Sequence, residues 1–411
     1  MSDLLKPREA SEVEAAVQWA LAGGKTLEVA GRGTKRAIGR AAQWDATLDL
    51  SGLSGVTLYE PEELVLSAKA GTPLAEIESL VANSKQELAF EPMDYGPVLG
   101  ATPGGGTIGG VIAANLSGPR RIKAGAARDH FLGFSAVSGR GETFKSGGRV
   151  VKNVTGYDLC KLLAGSWGTL AAMTEITVKV LPRAETEATV LLLNLDDGAA
   201  RKAMAAAAGS YGDVSAVAHL PAAIAARIAA TAGAAAAVTA FRFEGVAPSV
   251  AQRKTVLEEL LAPFGTLGAL DEAASHGFWR AVRDVMPFAA DGPSGARDLW
   301  RISTAPARGP EVGRRLAEQA DAELLYDWAG GLIWAALPPA AAAADAHAPL
   351  VRAAIAEAGG HATLIRAPAA VRAAVDVFTP EPPPLAALTR RVRDGFDPNG
   401  VLNPGRMWAG L

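Results

Sequence analysis

Apolar positions along the chain show two textures that meet near Leu181-Pro182-Arg183. In the first half Val13, Ala16, Val17 and Ala20 recur at helical spacing. Ser11 with Glu14 fits a capping box ahead of them, and Gly23-Gly24 stops the run. Leu27–Ala30 reads as a short strand that empties into Gly31-Arg32-Gly33-Thr34, and residues 64–68 read as another. Gly71, Thr72 and Pro73 then precede a helix over 74–81. Residues 92–118 are rich in Gly and Pro, with a short apolar helix over 110–115 inside them. Phe131–Ser138 reads as a strand closed by the turn Gly139-Arg140-Gly141, and residues 176–180 as the last strand of this half.

In the second half, apolar runs at 190–193, 238–243, 299–302 and 332–337 alternate with alanine-rich helical stretches. Strands alternating with helices predict a compact α+β or α/β layer. Residues 338–344 are low in complexity and read as a linker or helix start. After a proline-rich stretch at 380–384, residues 396–406 are too polar and too dense in turn residues for an ordinary terminal helix.

Length changes this picture first: 411 residues exceed one ordinary core and predict two domains. Hydrophobic residues at 49% and charged residues at 20% fit a soluble globular chain, and a net charge of −3 gives no reason to expect nucleic acid. Cys160 stands alone, so no disulfide framework exists and an intracellular, cytoplasmic location is the simple reading. Residues 1–9 carry no signal-peptide pattern, and the longest weakly polar run, 222–240, is mostly alanine and contains Arg227. Membrane contact is expected only through a partner.

Candidate chemistry concentrates in four glycine-bearing segments of the first half. A diphosphate needs closely approaching backbone N–H donors, which glycine permits. Gly31-Arg32-Gly33-Thr34-Lys35 follows a strand and adds two cations; alone it reads equally well as a tight turn. Pro103-Gly104-Gly105-Gly106-Thr107-Ile108-Gly109-Gly110 contains a G-x-G-x-x-G, the mark of a nicotinamide-dinucleotide fold. No buried strand precedes it, and Asp129, at the right distance, sits in a charged loop, so that match reads as accidental. The third segment is 125–130, with Arg128 and Asp129; the fourth runs through Lys152, Gly156, Tyr157 and Asp158 to Gly165-Ser166-Trp167-Gly168-Thr169. Four such clusters exceed what turns require and suit one long dinucleotide.

In order and spacing these segments resemble the FAD-binding domain of the vanillyl-alcohol oxidase and p-cresol methylhydroxylase flavoproteins. The resemblance rests on residues 31–34, 103–110, 165–170 before Glu175-Ile176-Thr177, and the terminal Asp397-Pro398 with Asn403-Pro404-Gly405-Arg406. It implies an α+β fold: a two-subdomain FAD-binding domain over 1–183, an α+β ferredoxin-like cap over 184–375, and a segment 376–411 returning to the first domain. It also implies that residues 31–35 cradle the diphosphate and 104–110 line the ribityl and diphosphate. Gly165, Gly168, Thr169 and Ile176 would hold the flavin or adenine side, with Asn403 and Arg406 near the ring. Asn115, Arg128, Asp129, Lys152, Gly156, Tyr157 and Asp158 complete the expected cofactor set. Some relatives attach FAD covalently through His or Cys. The first loop here has no His, and Cys160 reads as a buried structural thiol, so non-covalent FAD is expected.

Residues 152–159 resemble the branch that oxidises 2-hydroxy acids, and the short length resembles the smaller flavin subunits of glycolate oxidase. That implies a larger FAD subunit and an iron–sulfur subunit as partners. His130, His219, His276, His347 and His361 form no paired-histidine metal motif, so no metal is expected. Phe278-Trp279-Arg280-Ala281-Val282-Arg283 resembles the Trp-x-x-x-Arg segment of that branch and makes Arg283 the candidate for the substrate carboxylate. The competing reading pairs Arg283 with Asp284 or Glu272 on a solvated helix. No residue stands out as the base. Two functions of different class remain open at this point: a stand-alone 2-hydroxy-acid dehydrogenase, or a flavin-carrying relay subunit of a glycolate-oxidising complex. A third and weaker reading, a nicotinamide-dependent dehydrogenase, rests only on Gly104-x-Gly106-x-x-Gly109.

Overall fold

The computed structural model describes residues 3–149, 156–339 and 345–410. Lys152 and the first half of the 152–159 motif, residues 152–155, lie outside the described residues. The first half builds two small layers. Strands β1 (Asp3–Leu5), β2 (Leu27–Ala30) and β3 (Ala46–Asp49) form a parallel sheet in the order β1-β3-β2. Strands β4 (Val56–Glu60), β5 (Val65–Lys69), β7 (Phe131–Ser138), β8 (Thr143–Gly147) and β9 (Ala171–Lys179) form an antiparallel sheet in the order β4-β5-β9-β7-β8. A two-residue pair, β6 (Gln86–Glu87) with β10 (Leu181–Pro182), closes the half.

The helix Ala10–Ala22 buries Val13, Val17 and Ala20, the face its spacing predicts. Its start differs from expectation: Glu9 is the cap residue and makes no side-chain cap bond. Glu12 instead accepts from the Arg8 N–H at 2.6 Å, so the carboxylate two residues before Glu14 takes the backbone donor. Strand β9 begins at Ala171, five residues before the apolar run at 176 that marks it in the sequence. Small residues Ala171 and Ala172 belong to the strand because β7 pairs with them.

The second half is one eight-stranded antiparallel sheet: β11 (Thr186–Leu193), β12 (Ala216–Leu220), β13 (Val238–Gly245), β14 (Thr266–Leu270), β15 (Asp298–Ser303), β16 (Glu323–Asp327), β17 (Leu332–Leu337) and β18 (His361–Arg366). Its order is β14-β11-β13-β12-β16-β17-β15-β18. Each half of that order is a βαββαβ unit of ferredoxin-like connectivity. The two units join edge to edge through His219 opposite Tyr326. Alternation sorts the side chains. Val190, Leu192, Phe241 and Phe243 face helices on one side in the first unit, as do Trp300, Ile302, Ile333 and Leu364 in the second. The opposite face presents Leu191, Ala218, Ala240, Leu299, Leu325 and Trp334 to the interior shared with β5, β7 and β9.

The chain's last turns return to the first half. Leu402 bridges Leu27 in parallel, and the Leu27 N–H donates to Val401 O at 2.7 Å. Before that return comes a helix, Pro383–Phe396, that the proline run at its start hides in the sequence. Pro at a helix's first position is well tolerated.

Candidate functional site

A groove in the first half gathers the first glycine segment, the second and the chain terminus. Its walls include Gly31 to Arg36, Thr107, Gly109, Gly110, Trp167, Gly168 and Arg406. Several backbones here admit no side chain. A Cβ on Gly31 would lie 2.6 Å from Thr107 Oγ1, and one on Gly109 would lie 2.7 Å from Ala70 O. A Cβ on Gly168, whose φ is +72°, would meet Asn403 Nδ2 at 2.8 Å. Glycine therefore lets three distant segments close on one space.

Besides the exposed Arg32, two less accessible cations face this space without a carboxylate partner among the described residues. Lys35 Nζ donates only to its neighbour Thr34 Oγ1, at 3.2 Å. Burial, and to a lesser degree the charge of Arg406, lower Lys35 to about 8 against a weaker pull upward from Asp94. Arg406 donates through Nη2 to Lys35 O at 2.9 Å, and its buried Nε has no partner. Burial lowers Arg406 to about 10. Two uncompensated cations in a buried groove are a standing cost unless an anion enters. A dinucleotide diphosphate fits that requirement, and the close-approach glycines fit its length.

The remaining expected site residues fall elsewhere. Gly104 N–H donates to Asp94 Oδ2 at 2.6 Å, Gly105 lies against Thr34, and Gly106 O accepts from Leu74 N–H at 3.0 Å. Ile108 is buried in the core, as is Ile176 in the middle of β9. Asn115 Oδ1 accepts from Arg128 N–H at 3.0 Å, and Lys161 Nζ bonds Asp129 Oδ1 at 3.1 Å, so these residues form a local network beyond the groove. Asp158 accepts from Lys161 N–H at 3.2 Å as the cap of the helix Leu159–Leu163, while Gly156 and Tyr157 are exposed. Thr169 Oγ1 donates to Ser166 O at 2.7 Å, and Gly165 N–H to Ile112 O at 3.1 Å. Pro103 lies at the surface. Cys160 is buried outside the groove, and burial pushes its thiol up to about 12. Val29, Ala70, Ala113, Ala114 and Met173 also line the groove; sequence reading missed them because small apolar side chains carry no chemical mark.

Between the two halves lies a second, polar cavity of about 330 Å³. Arg283 is on its wall and donates to Asp284 through Nε at 2.9 Å and Nη2 at 2.8 Å. The alternative ion pair weighed for Arg283 is thus present, and it occupies the fork a substrate carboxylate needs. Beside it, Arg242 bonds Glu91 through both Nη atoms at 2.8 Å, and Arg120 bonds Glu244. These pairs tie the first half to the sheet. Among the described residues no group of three or more His, Cys, Asp or Glu side chains could hold a metal ion. None of the described helices is long and apolar enough to cross a membrane.

Residues 3–147 match the family described as a FAD binding domain. The chain superposes on p-cresol methylhydroxylase with a TM-score of 0.70 at 12% identity, over 98% of this chain and 88% of that one. Fold and family match together define the class: an FAD-binding flavoprotein of the vanillyl-alcohol oxidase and p-cresol methylhydroxylase type, with a large antiparallel sheet. Over 94% of its length the chain is 31% identical to glycolate oxidase subunit GlcE of Escherichia coli (strain K12), spanning 93% of that relative. It belongs to that family, within the FAD-linked oxidoreductases that act on 2-hydroxy acids. It is also 35% identical over 141 residues to the D-lactate dehydrogenase of Archaeoglobus fulgidus, which is 32% of each chain.

Proposed function

We propose that this chain is the FAD-binding subunit of a glycolate oxidase complex that oxidises glycolate to glyoxylate and relays electrons within the assembly. The observation that carries the reading is the pair of half-buried Lys35 and buried Arg406, without an ion-pair partner among the described residues, in a groove walled by glycine backbone. Lys35 and Arg406 would neutralise the diphosphate. Gly31, Gly109 and Gly110 would let it approach the backbone, and Trp167 would cover it. Bound FAD supplies acceptance of two electrons from the hydroxy acid. Among the described residues no His or Cys side chain lines the groove, which supports non-covalent binding. Residues 1–183 with 376–411 would then be the flavin-holding unit and 184–375 the cap. The partners would be a larger FAD subunit and an iron–sulfur subunit, with a cytoplasmic location and membrane contact only through them.

A stand-alone 2-hydroxy-acid dehydrogenase is the second reading, favoured by the partial similarity to a D-lactate dehydrogenase. One experiment separates the two. The chain is purified alone and with its larger flavin and iron–sulfur partners, and glycolate-dependent dye reduction is followed. The relay reading expects yellow, inactive isolated chain and active complex. Turnover by the isolated chain would replace it with the second reading, and colourless protein after incubation with excess FAD would remove both.

A further inference from the structure

The cap sheet carries a second unbalanced positive centre, away from the diphosphate groove. Strand alternation places Arg301 on the same face as Leu299, opposite Trp334 on β17 and Thr363 on β18. Ser303 on that face is opposite His361. Leu299 and Trp334 are covered by the first half, whereas Arg301, Ser303 and Thr363 are half-buried and His361 is exposed. The shared interior therefore opens at this edge of the sheet. The helix Ile108–Ala114, whose Gly109, Gly110, Ala113 and Ala114 line the groove, leads into the segment that borders the opening.

That segment contributes Gly118 and Arg121. Gly118 O accepts the Trp328 indole N–H at 2.9 Å, which fixes the ring. The Arg121 guanidinium sits 4.3 Å from the ring centroid, and that of Arg301 sits 5.0 Å from it. An indole face attracts cations but does not neutralise them. Among the described residues neither guanidinium makes a hydrogen bond or an ion pair. Four interior arginines do meet a carboxylate: Arg242 has Glu91, Arg120 has Glu244, Arg227 has Glu323, and Arg283 has Asp284. Half-buried Arg301 and exposed Arg121 do not, and neither does Arg406 in the groove. Burial lowers both Arg301 and Arg121, and the charge of Arg301 lowers Arg121 further. Asp327 acts on Arg301 only through space, and burial raises its own carboxyl to about 7, so it is a poor counter-ion.

We infer that Arg301 and Arg121, converging on Trp328 at the open edge of the cap sheet, bind the carboxylate of a small 2-hydroxy acid. Ser303, Thr363 and His361 surround the position with groups that can hydrogen-bond the acid's hydroxyl. The pair supplies a free bidentate fork, which Arg283 does not. This assignment rests on the reading of the chain as a flavin subunit serving a hydroxy acid, and it adds that the chain itself contacts that acid.

Equilibrium dialysis of the FAD-loaded full chain against radiolabelled glycolate tests it, with acetate and ethylene glycol as further ligands. Wild-type protein is expected to take up glycolate saturably and to ignore ethylene glycol, which lacks the carboxylate. Arg301→Gln should weaken glycolate at least tenfold with unchanged flavin content, Arg121→Gln several-fold, and Arg283→Gln less than twofold. If Arg301→Gln fails to retain flavin, Arg301→Lys and the exposed-site variant Arg121→Gln decide the matter. Yellow protein that binds neither glycolate nor acetate, or unaltered affinity in the arginine variants, overturns the assignment. Acetate bound as tightly as glycolate would keep the carboxylate site while removing the hydroxy-acid reading. Colourless protein would instead indict the flavin reading beneath it.

Discussion

The side-chain amide of Asn403 completes strand β2 from 374 residues away: its Oδ1 accepts the Val29 N–H at 2.9 Å, and its Nδ2 donates to Trp167 O at 2.8 Å. Asn403 is fully buried and has φ +46°, a conformation that Asn tolerates better than most residues. One side chain thus ties the first glycine segment, the Gly165–Thr169 loop and the chain terminus together. Asn403→Ala leaves the Val29 N–H and the Trp167 carbonyl without partners in a buried place. The expected loss is about 3 kcal/mol of unfolding free energy. FAD affinity should fall with it, because both walls of the groove are released. Urea unfolding of apo-protein with and without the substitution measures the first effect, and flavin titration the second. A change below about 0.5 kcal/mol would contradict the structural role.

Much of this convergence is legible in the sequence, for a physical reason. Gly31, Gly109 and Gly168 are positions where a close approach forbids a side chain, and such positions stay visible as glycine whatever the partner. Strand β7 is legible because Phe131, Phe134 and Val137 are large and apolar. Strands β12, β14 and β16 are not. Ala216-Val217-Ala218 and Gly268-Ala269 belong to strands only because β13 and β11 pair with them, and alanine carries little preference of its own. The pairing of two βαββαβ units in the eight-stranded sheet is hidden for the same reason. The pairing of Arg283 with Asp284 is legible from their adjacency, whereas the fate of Arg301 is not, since it depends on which acids lie nearby after folding. Both are arginines near tryptophans in sequence; one meets Asp284 and the other meets no carboxylate.

The Arg242, Arg120, Glu91 and Glu244 cluster should control acid stability. Burial alone would raise Glu244, but the guanidiniums of Arg242 and Arg120 hold it down to about 2. A carboxylate depressed in the folded state contributes stability that is present above its unfolded value of 4.5 and lost as pH falls towards 2. Glu244→Gln should therefore destabilise the protein at pH 7 by roughly 3 kcal/mol. It should also flatten the stability loss between pH 4.5 and 2 relative to wild type. Guanidinium-melt midpoints across that range report both. Parallel acid limbs in the two proteins would show that the cluster does not set the titration.

Lys35 gives FAD binding a pH dependence of predictable sign. Its ammonium is depressed to about 8 in the protein, below the ordinary 10.5, because burial disfavours the charge. A bound diphosphate favours the charge and raises the group again. Binding therefore takes up a proton once the pH passes 8. FAD affinity is expected to be level below pH 8 and to fall by up to tenfold per unit above it. Lys35→Met should weaken binding at pH 7 by tenfold or more and abolish the slope; Lys35→Arg should keep affinity with a flat profile. Fluorescence titration of FAD from pH 6.5 to 9.5 makes the measurement. A slope that survives in Lys35→Met would assign the proton to another group.

Gly31 and Gly106 separate steric need within the protein from steric need towards a cofactor. At Gly31 the obstacle is Thr107 Oγ1, 2.6 Å from an added Cβ, so Gly31→Ala must move protein atoms and should lower apo stability by about 1–3 kcal/mol. At Gly106 an added Cβ meets nothing within 4 Å, and its φ lies outside the left-handed range. Gly106→Ala should leave the apo-protein's melting temperature within about 2 °C of wild type, as a surface change does. If the glycine run approaches FAD closely, the same substitution should still weaken FAD binding tenfold or more, because the methyl enters the space only the cofactor would fill. A normal melt with normal FAD affinity would show that the backbone at Gly106 stands clear of the nucleotide, and that Thr107, Gly109 and Gly110 bring this segment to the groove.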